Sequence, residues 1–164
     1  MATNSYHFVT HWRMRSTCEE ISEILHDASS LTRWWPSVYL DVRVLEMGDE
    51  RGIGRVVGLY TKGWLPYTLH WRLQITADHT PHGFDFDADG DFVGHGEWTL
   101  AQDGEWTNIT YDWRILAEKP LLRYFSPILK PIFSHNHRWA MRQGEKSLAL
   151  ELERRHATTP AARA

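Results

Sequence analysis

Four polar side chains stand out as able to do chemistry if the fold brings them together: Glu97, Tyr111, Asn136 and His137. Glu97 and His137 can exchange protons, Tyr111 can donate a hydrogen bond, and Asn136 can orient a polar group. Inside an apolar hollow, loss of water shifts the pKa of a carboxyl or an imidazole and suits it to proton transfer. A reaction on a bound carbonyl compound needs little beyond an aligned acid and base. Glu97, Tyr111 and His137 are therefore the candidate catalytic residues. The plainer role for the same groups is to orient a ligand by hydrogen bonds, or to satisfy one another.

Other constellations explain less. The chain has ten His, but His135 and His137, two apart on a helix, project about 200° from each other. His7 and His11 share a strand face, yet no carboxylate or cysteine is spaced to complete a metal site with them. Asp85-Phe86-Asp87-Ala88-Asp89-Gly90 resembles the start of a calcium loop. Such a loop needs a bidentate Glu at its twelfth position, where Gly96 stands, and helices on both sides, which are missing. Alternation accounts for these acids better, with Phe84 and Phe86 inward and Asp85 and Asp87 in water. No metal site is expected. Cys18, the single cysteine, sits in the first turn of a helix but has no base beside it, so it reads as a buried structural thiol. Without a G-x-S-x-G elbow, a phosphate-binding glycine loop or a dinucleotide fingerprint, no cofactor is expected either.

The elements that must position these residues can be read from periodicity. Tyr6, Phe8, Trp12 and Met14 alternate with His7, His11 and Arg13, as in a half-buried strand. Ser16 and Glu19 have the spacing of a capping box, and Ile21, Ile24, Leu25 and Ala28 form one stripe of the helix behind it. A second short helix, starting at Ser29 or Ser30 and stopping at Pro36, carries Trp34 and Trp35. Strands are expected over 42–46, 54–61, 68–77, 83–89, 95–100 and 107–116, with Asp103-Gly104 as a hairpin turn. A long helix is expected from Pro131 to about Arg155. Phe133, Asn136, His137, Ala140, Gly144, Leu148 and Leu152 lie along one face of it, and Arg138, Arg142 and Lys146 along a solvated one. The fold class is α+β. Each strand has one apolar face, so the sheet needs a cover on one side, and the long helix is the evident cover.

The composition narrows the partners. A formal charge of −3 disfavours binding to nucleic-acid phosphates. Met1 to His11 lacks the basic start and apolar run of a signal peptide, and no stretch approaches the length that spans a bilayer, so a cytoplasmic protein without stable membrane insertion is expected. Residues 1–156 are expected to form one domain and 157–164 a disordered tail. Nine Trp, six Tyr and six Phe are the unusual numbers; they suit either a wide core or a lined pocket. Residues 119–133 are too apolar for a free connection. They suit a lid over a cavity mouth, a homodimer surface or a membrane-touching loop, and the lid is favoured because the covering helix follows directly.

Strand, paired helices, antiparallel sheet and C-terminal helix resembles the helix-grip arrangement of the START-like (SRPBCC) superfamily. That superfamily includes birch-pollen allergen (Bet v 1-like) proteins, lipid-transfer START domains and polyketide cyclase/dehydrase proteins, the small bacterial forms of the last being most similar. The segments that carry the resemblance are Tyr6–Trp12, Leu31–Pro36 (LTRWWP), Gly90–Trp98 (GDFVGHGEW), Thr110–Trp113 (TYDW) and Asn136–Gly144 (NHRWAMRQG), within a match over roughly residues 5–155. It implies a curved sheet wrapped around the last helix, with an apolar small molecule, lipid-like or aromatic, held between them. It shares no fixed catalytic set. Mapped here, the lining would be Trp12, Trp71, Phe84, Phe86, Trp98, Tyr111 and Trp113 from the sheet, facing Asn136, Ala140 and Gly144. The two small residues either let helix and sheet pack closely or leave room for the guest. The alternative function is a polyketide cyclase/dehydrase-type enzyme.

Overall fold

The computed structural model describes residues 4–158. Strand β1 (Ser5–Arg15) leads into helix α1 (Cys18–His26), a 3₁₀ turn (Ala28–Ser30) and helix α2 (Leu31–Trp34). Six strands follow: β2 (Tyr39–Glu46), β3 (Val56–Lys62), β4 (Thr68–Asp78), β5 (Gly83–Gly90), β6 (Phe92–Asp103) and β7 (Trp106–Ala117). Helix α3 (Pro120–Ala157) ends the described fold. All seven strands form one antiparallel sheet in the order β1-β7-β6-β5-β4-β3-β2. The chain therefore enters at one edge and crosses through α1 and α2 to the opposite edge. From there it meanders back until β7 pairs with β1.

Period-two sequence becomes a one-sided sheet because successive side chains point to opposite faces. On β7, Ile109, Tyr111, Trp113 and Ile115 are buried, and on β5 Phe84, Phe86 and Ala88 are. Register shifts at Tyr39/Asp41, Val44/Glu46 and Ile75/Ala77 add the local twist that helps bend a sheet into a bowl. Helices α1, α2 and α3 all pack on the concave side.

The capping box of α1 sits one residue later than its sequence spacing suggested. Thr17 Oγ1 accepts from the Glu20 N–H at 3.2 Å, and the Thr17 N–H donates to Glu20 Oε2 at 2.9 Å. Ser16 is instead drawn under the sheet edge, where its N–H donates to the Glu105 carbonyl at 3.1 Å. Burial of Ser16 overrides an equally good capping sequence.

The long helix starts at Pro120 rather than Pro131, so 120–133 is its first third and not a separate lid. Pro120 suits a first turn, where its missing N–H has no intrahelical partner. Pro127 and Pro131 each remove one bond, to the carbonyls of Arg123 and Pro127. Tertiary contacts outweigh those losses: Leu122 and Phe133 are buried, and Ser126 Oγ lies 2.6 Å from Tyr6 Oη on β1 while also donating to the Leu122 carbonyl. Among the described residues no helix is long and apolar enough to cross a membrane. The helix runs through Ala157 to a cap at Thr158, and the tail expected beyond it falls outside the described residues.

Candidate functional site

Two hollows remain on the concave side of the sheet, one beneath α3 and one beneath α1 and α2. The larger, about 90 Å³, lies under the middle of α3 and is walled by Trp71, Tyr111 and Trp113 from the sheet and by Phe133, His137 and Ala140 from the helix. The smaller, about 60 Å³, lies toward α1 and is walled by Leu25, Trp35, Phe84, Phe86 and Trp98. Tyr39, Trp71 and Tyr111 line both and so stand between them. For scale, an apolar cavity of about 150 Å³ takes up a benzene molecule. Neither hollow reaches that size alone, and the two together match it only if the partition moves.

The walls of the larger hollow are apolar apart from a few placed groups. The ring of His137 stacks on Phe8 with centroids 4.0 Å apart, and its Nε2 is buried without a hydrogen-bond partner among the described residues. Burial, with the nearby Arg138 charge adding to it, lowers its pKa to about 3, so the imidazole is neutral at ordinary pH. Burial also raises Tyr111 and Tyr39 far above the usual phenol range, and the two phenols sit close enough for Tyr39 to reinforce the shift of Tyr111. Both therefore stay protonated donors, and neither hydroxyl has a partner among the described residues. Trp71 Nε1 is satisfied by Thr61 Oγ1 at 3.1 Å. Among the described residues Lys62, exposed at the rim, is the one charged side chain in the lining.

Asn136 fixes one wall. Its Oδ1 accepts from the Leu65 N–H at 3.1 Å and its Nδ2 donates to Tyr67 Oη at 3.2 Å, tying the β3–β4 connection to α3. Gly63 permits this closeness, since a Cβ there would lie 2.2 Å from Asn136 Oδ1. Tyr67, half-buried and raised by that burial to about 12 against the opposing effect of the hydrogen bond, contributes a further neutral phenol.

The residues expected to line one cavity thus separate into groups. Trp71, Tyr111, Trp113, Asn136, His137 and Ala140 line the larger hollow. Phe84, Phe86 and Trp98 line only the smaller one. Trp12 and Gly144 line neither: Trp12 meets Trp35 edge-on at 5.8 Å, and a Cβ on Gly144 would lie 2.3 Å from the Trp35 ring. Of the two small helix residues, Gly144 serves close packing and Ala140 borders space.

Glu97 is a correction. Its side chain is 50 % exposed on the convex face, because on β6 it alternates with inward Gly96 and Trp98. There it faces His95 Nε2 at 3.2 Å, while His95 Nδ1 meets Asp87 Oδ1 at 2.8 Å. The pKa of His95 is raised, chiefly by the Asp87 hydrogen bond and also by Glu97. Ligand atoms of Asp85, His95 and Glu97 lie within 4.8 Å of one another. Ion pairing of one imidazolium with flanking carboxylates accounts for that cluster, and Asp85 and Asp87 are strand residues rather than parts of a calcium loop. His135 and His137 do diverge, toward Trp64 and Phe8 respectively. Cys18 is buried, with its pKa raised mainly by burial.

Sequence reasoning missed Tyr39 and Tyr67. Tyr39 follows Pro36-Ser37-Val38, a stretch without period, and pairing with β3 alone makes it the first residue of β2. For Tyr67 a signal existed: Trp64-Leu65-Pro66-Tyr67 is too apolar for a free hairpin connection.

The architecture is the helix-grip α+β fold of START-like proteins. Particular solved structures share it over nearly the whole chain. The TTHA0849 protein of Thermus thermophilus has a TM-score of 0.71 at 14 % identity, covering 89 % of this chain and 99 % of that one. A START superfamily protein from Mycobacterium smegmatis has 0.71 at 12 %, covering 90 % and 97 %. The Zhui aromatase/cyclase from Streptomyces sp. R1128 has 0.69 at 18 %, covering 92 % and 95 %. No protein-family model and no curated protein matches the sequence.

Proposed function

We propose that this protein binds an apolar small molecule carrying a carbonyl or hydroxyl oxygen, held between the sheet and α3 in the larger hollow. The observation that carries the reading is His137: a buried ring nitrogen without a partner forfeits a hydrogen bond, and a ligand oxygen would restore it. The unpartnered phenols of Tyr39 and Tyr111 supply further neutral donors, and the START and aromatase/cyclase names of the structural neighbours agree with an apolar guest. The lining favours neutral ligands because it offers no buried charge. A ring-sized guest must turn Tyr39 or Tyr111 or lift the β3–β4 connection, which Asn136 holds by two hydrogen bonds.

Binding is favoured over acid–base catalysis by the same pKa shifts. A general acid or base works best near the operating pH. His137 at about 3 and the raised phenols lie far from it on either side, and Glu97 lies outside.

Titration with 1-naphthol, followed by tryptophan fluorescence and native mass spectrometry, tests the proposal. Ala140→Leu should abolish binding while the protein stays folded, and His137→Phe should weaken it by about tenfold, the equivalent of one hydrogen bond. Unchanged affinity in Ala140→Leu would sink it.

A further inference from the structure

The first third of α3 is apolar on two opposite sides. Leu122, Ser126 and Phe133 face the core, whereas Leu121, Tyr124, Phe125, Ile128 and Ile132 recur at three- and four-residue intervals along the solvent side. Tyr124 is 74 % and Ile128 77 % exposed. Trp64, on the β3–β4 connection, is also exposed, and its ring meets His135 edge-on at 6.1 Å, one turn beyond Ile132. The indole therefore lengthens the same patch. A continuous apolar stripe of this kind marks a contact surface.

Charge indicates what it contacts. Residues 119–144 contain Lys119, Arg123, Lys130, Arg138 and Arg142, five of the chain's 18 Lys and Arg, and none of its 21 Asp and Glu; Glu118, just before the segment, lies 3.5 Å from Arg123 and offsets that one charge. Arg138 and Arg142 are exposed and follow the apolar stripe along the helix. A second copy presenting the same face would bring two acid-free cationic segments together, which like-charge repulsion opposes. Anionic lipid headgroups complement the segment, with the apolar side chains reaching the acyl boundary and the arginines staying among the phosphates.

We propose that the first third of α3, together with Trp64, docks this protein on the surface of an anionic lipid bilayer. The helix lies on the membrane and does not span it, in keeping with its length and polarity. Leu122 and Phe133, on the inner side of the same segment, wall the larger hollow, so docking brings that hollow next to lipid.

Flotation of the full chain with phosphatidylcholine vesicles, with and without about one third phosphatidylglycerol, tests this. The protein should float with the anionic vesicles and only weakly with the neutral ones. Ile128→Asp, at a site too exposed to affect folding, should lower vesicle affinity by about tenfold or more. Arg138→Glu and Arg142→Glu should each cost roughly fivefold on anionic vesicles alone. Failure to float with either vesicle overturns the proposal, as does equal flotation of Ile128→Asp. A dimer in sedimentation that Ile128→Asp dissociates, without vesicle binding, assigns the face to a second copy and also overturns it. Ile128→Asp and Arg142→Glu should bind 1-naphthol like the parent, so loss of docking and loss of the cavity reading are separate outcomes.

Discussion

The two ends of the interior are built from the same residue types and end up different. Under the middle of α3, Trp71, Tyr111 and Trp113 border open space. Toward α1, Trp12, Trp34, Trp35 and Trp98 crowd one another and leave only the smaller hollow: Trp35 lies 5.5 Å from Trp34 and 5.8 Å from Trp12, and Trp98 stacks on Tyr111 at 4.2 Å. What differs is the crossing from β1 to β2. That connection drives Trp34 and Trp35, both 1 % exposed, into one end of the bowl. At the other end the cover comes from α3 and the β3–β4 connection, and at Ala140 the helix side chain is short. Aromatic content alone thus says nothing about a cavity; the element that delivers large side chains across from the sheet decides it.

The largest effect that would break this comparison is at the filled end. Trp35→Ala should cost about 3–5 kcal/mol, read from urea unfolding, because it empties a site that Trp12 and Gly144 are shaped around. A loss below about 1 kcal/mol would mean the two ends are equally loose. Next comes acid. The pKa of His137 is lower in the folded protein than the ordinary 6.5, so the unfolded chain binds the extra proton first, and stability falls as pH drops from 6.5 toward 3. At about pH 5 the loss is on the order of 2 kcal/mol, and His137→Gln should flatten that slope in pH-dependent unfolding. Gly144→Ala should cost about 1–3 kcal/mol by forcing a methyl against Trp35. Ala140→Leu, one helical turn away, should change stability by less than about 1 kcal/mol while removing naphthol binding. Similar costs at 140 and 144 would erase the distinction between the ends. Smallest is Glu97→Gln, within about 0.5 kcal/mol and without effect on binding, since its partner His95 is itself exposed and keeps Asp87.

The sequence showed much of this fold because period and burial coincide in a one-sided sheet. Every strand was located, four of them by alternation and the others by the turns that bound them, and the ends moved by a few residues where pairing extends a strand, as at Phe92–Val93 on β6. The start of α3 was misread because Pro127 and Pro131 signal a break, and only Leu122, Ser126 and Phe133 packing inward outweighs them. The site was less legible. Alternation identifies an inward face but not which part of it another element will cover, so Trp12 and Trp113 looked equivalent. Glu97 was misplaced although its own strand had the parity to place it outside. Tyr39 and Tyr67 belong to stretches without period, where position comes from tertiary hydrogen bonds and strand pairing.

The place of β1 in the sheet sets when the site can exist. Its partner β7 is about a hundred residues downstream, with His7 bonded to Asp112 across a separation of 105. During synthesis the first strand must wait, unpaired, until β7 emerges, and the larger hollow lacks its cover until α3 follows. Such late closure of a distant pair slows folding, and it ties enclosure of a guest in the larger hollow to the docking of α3.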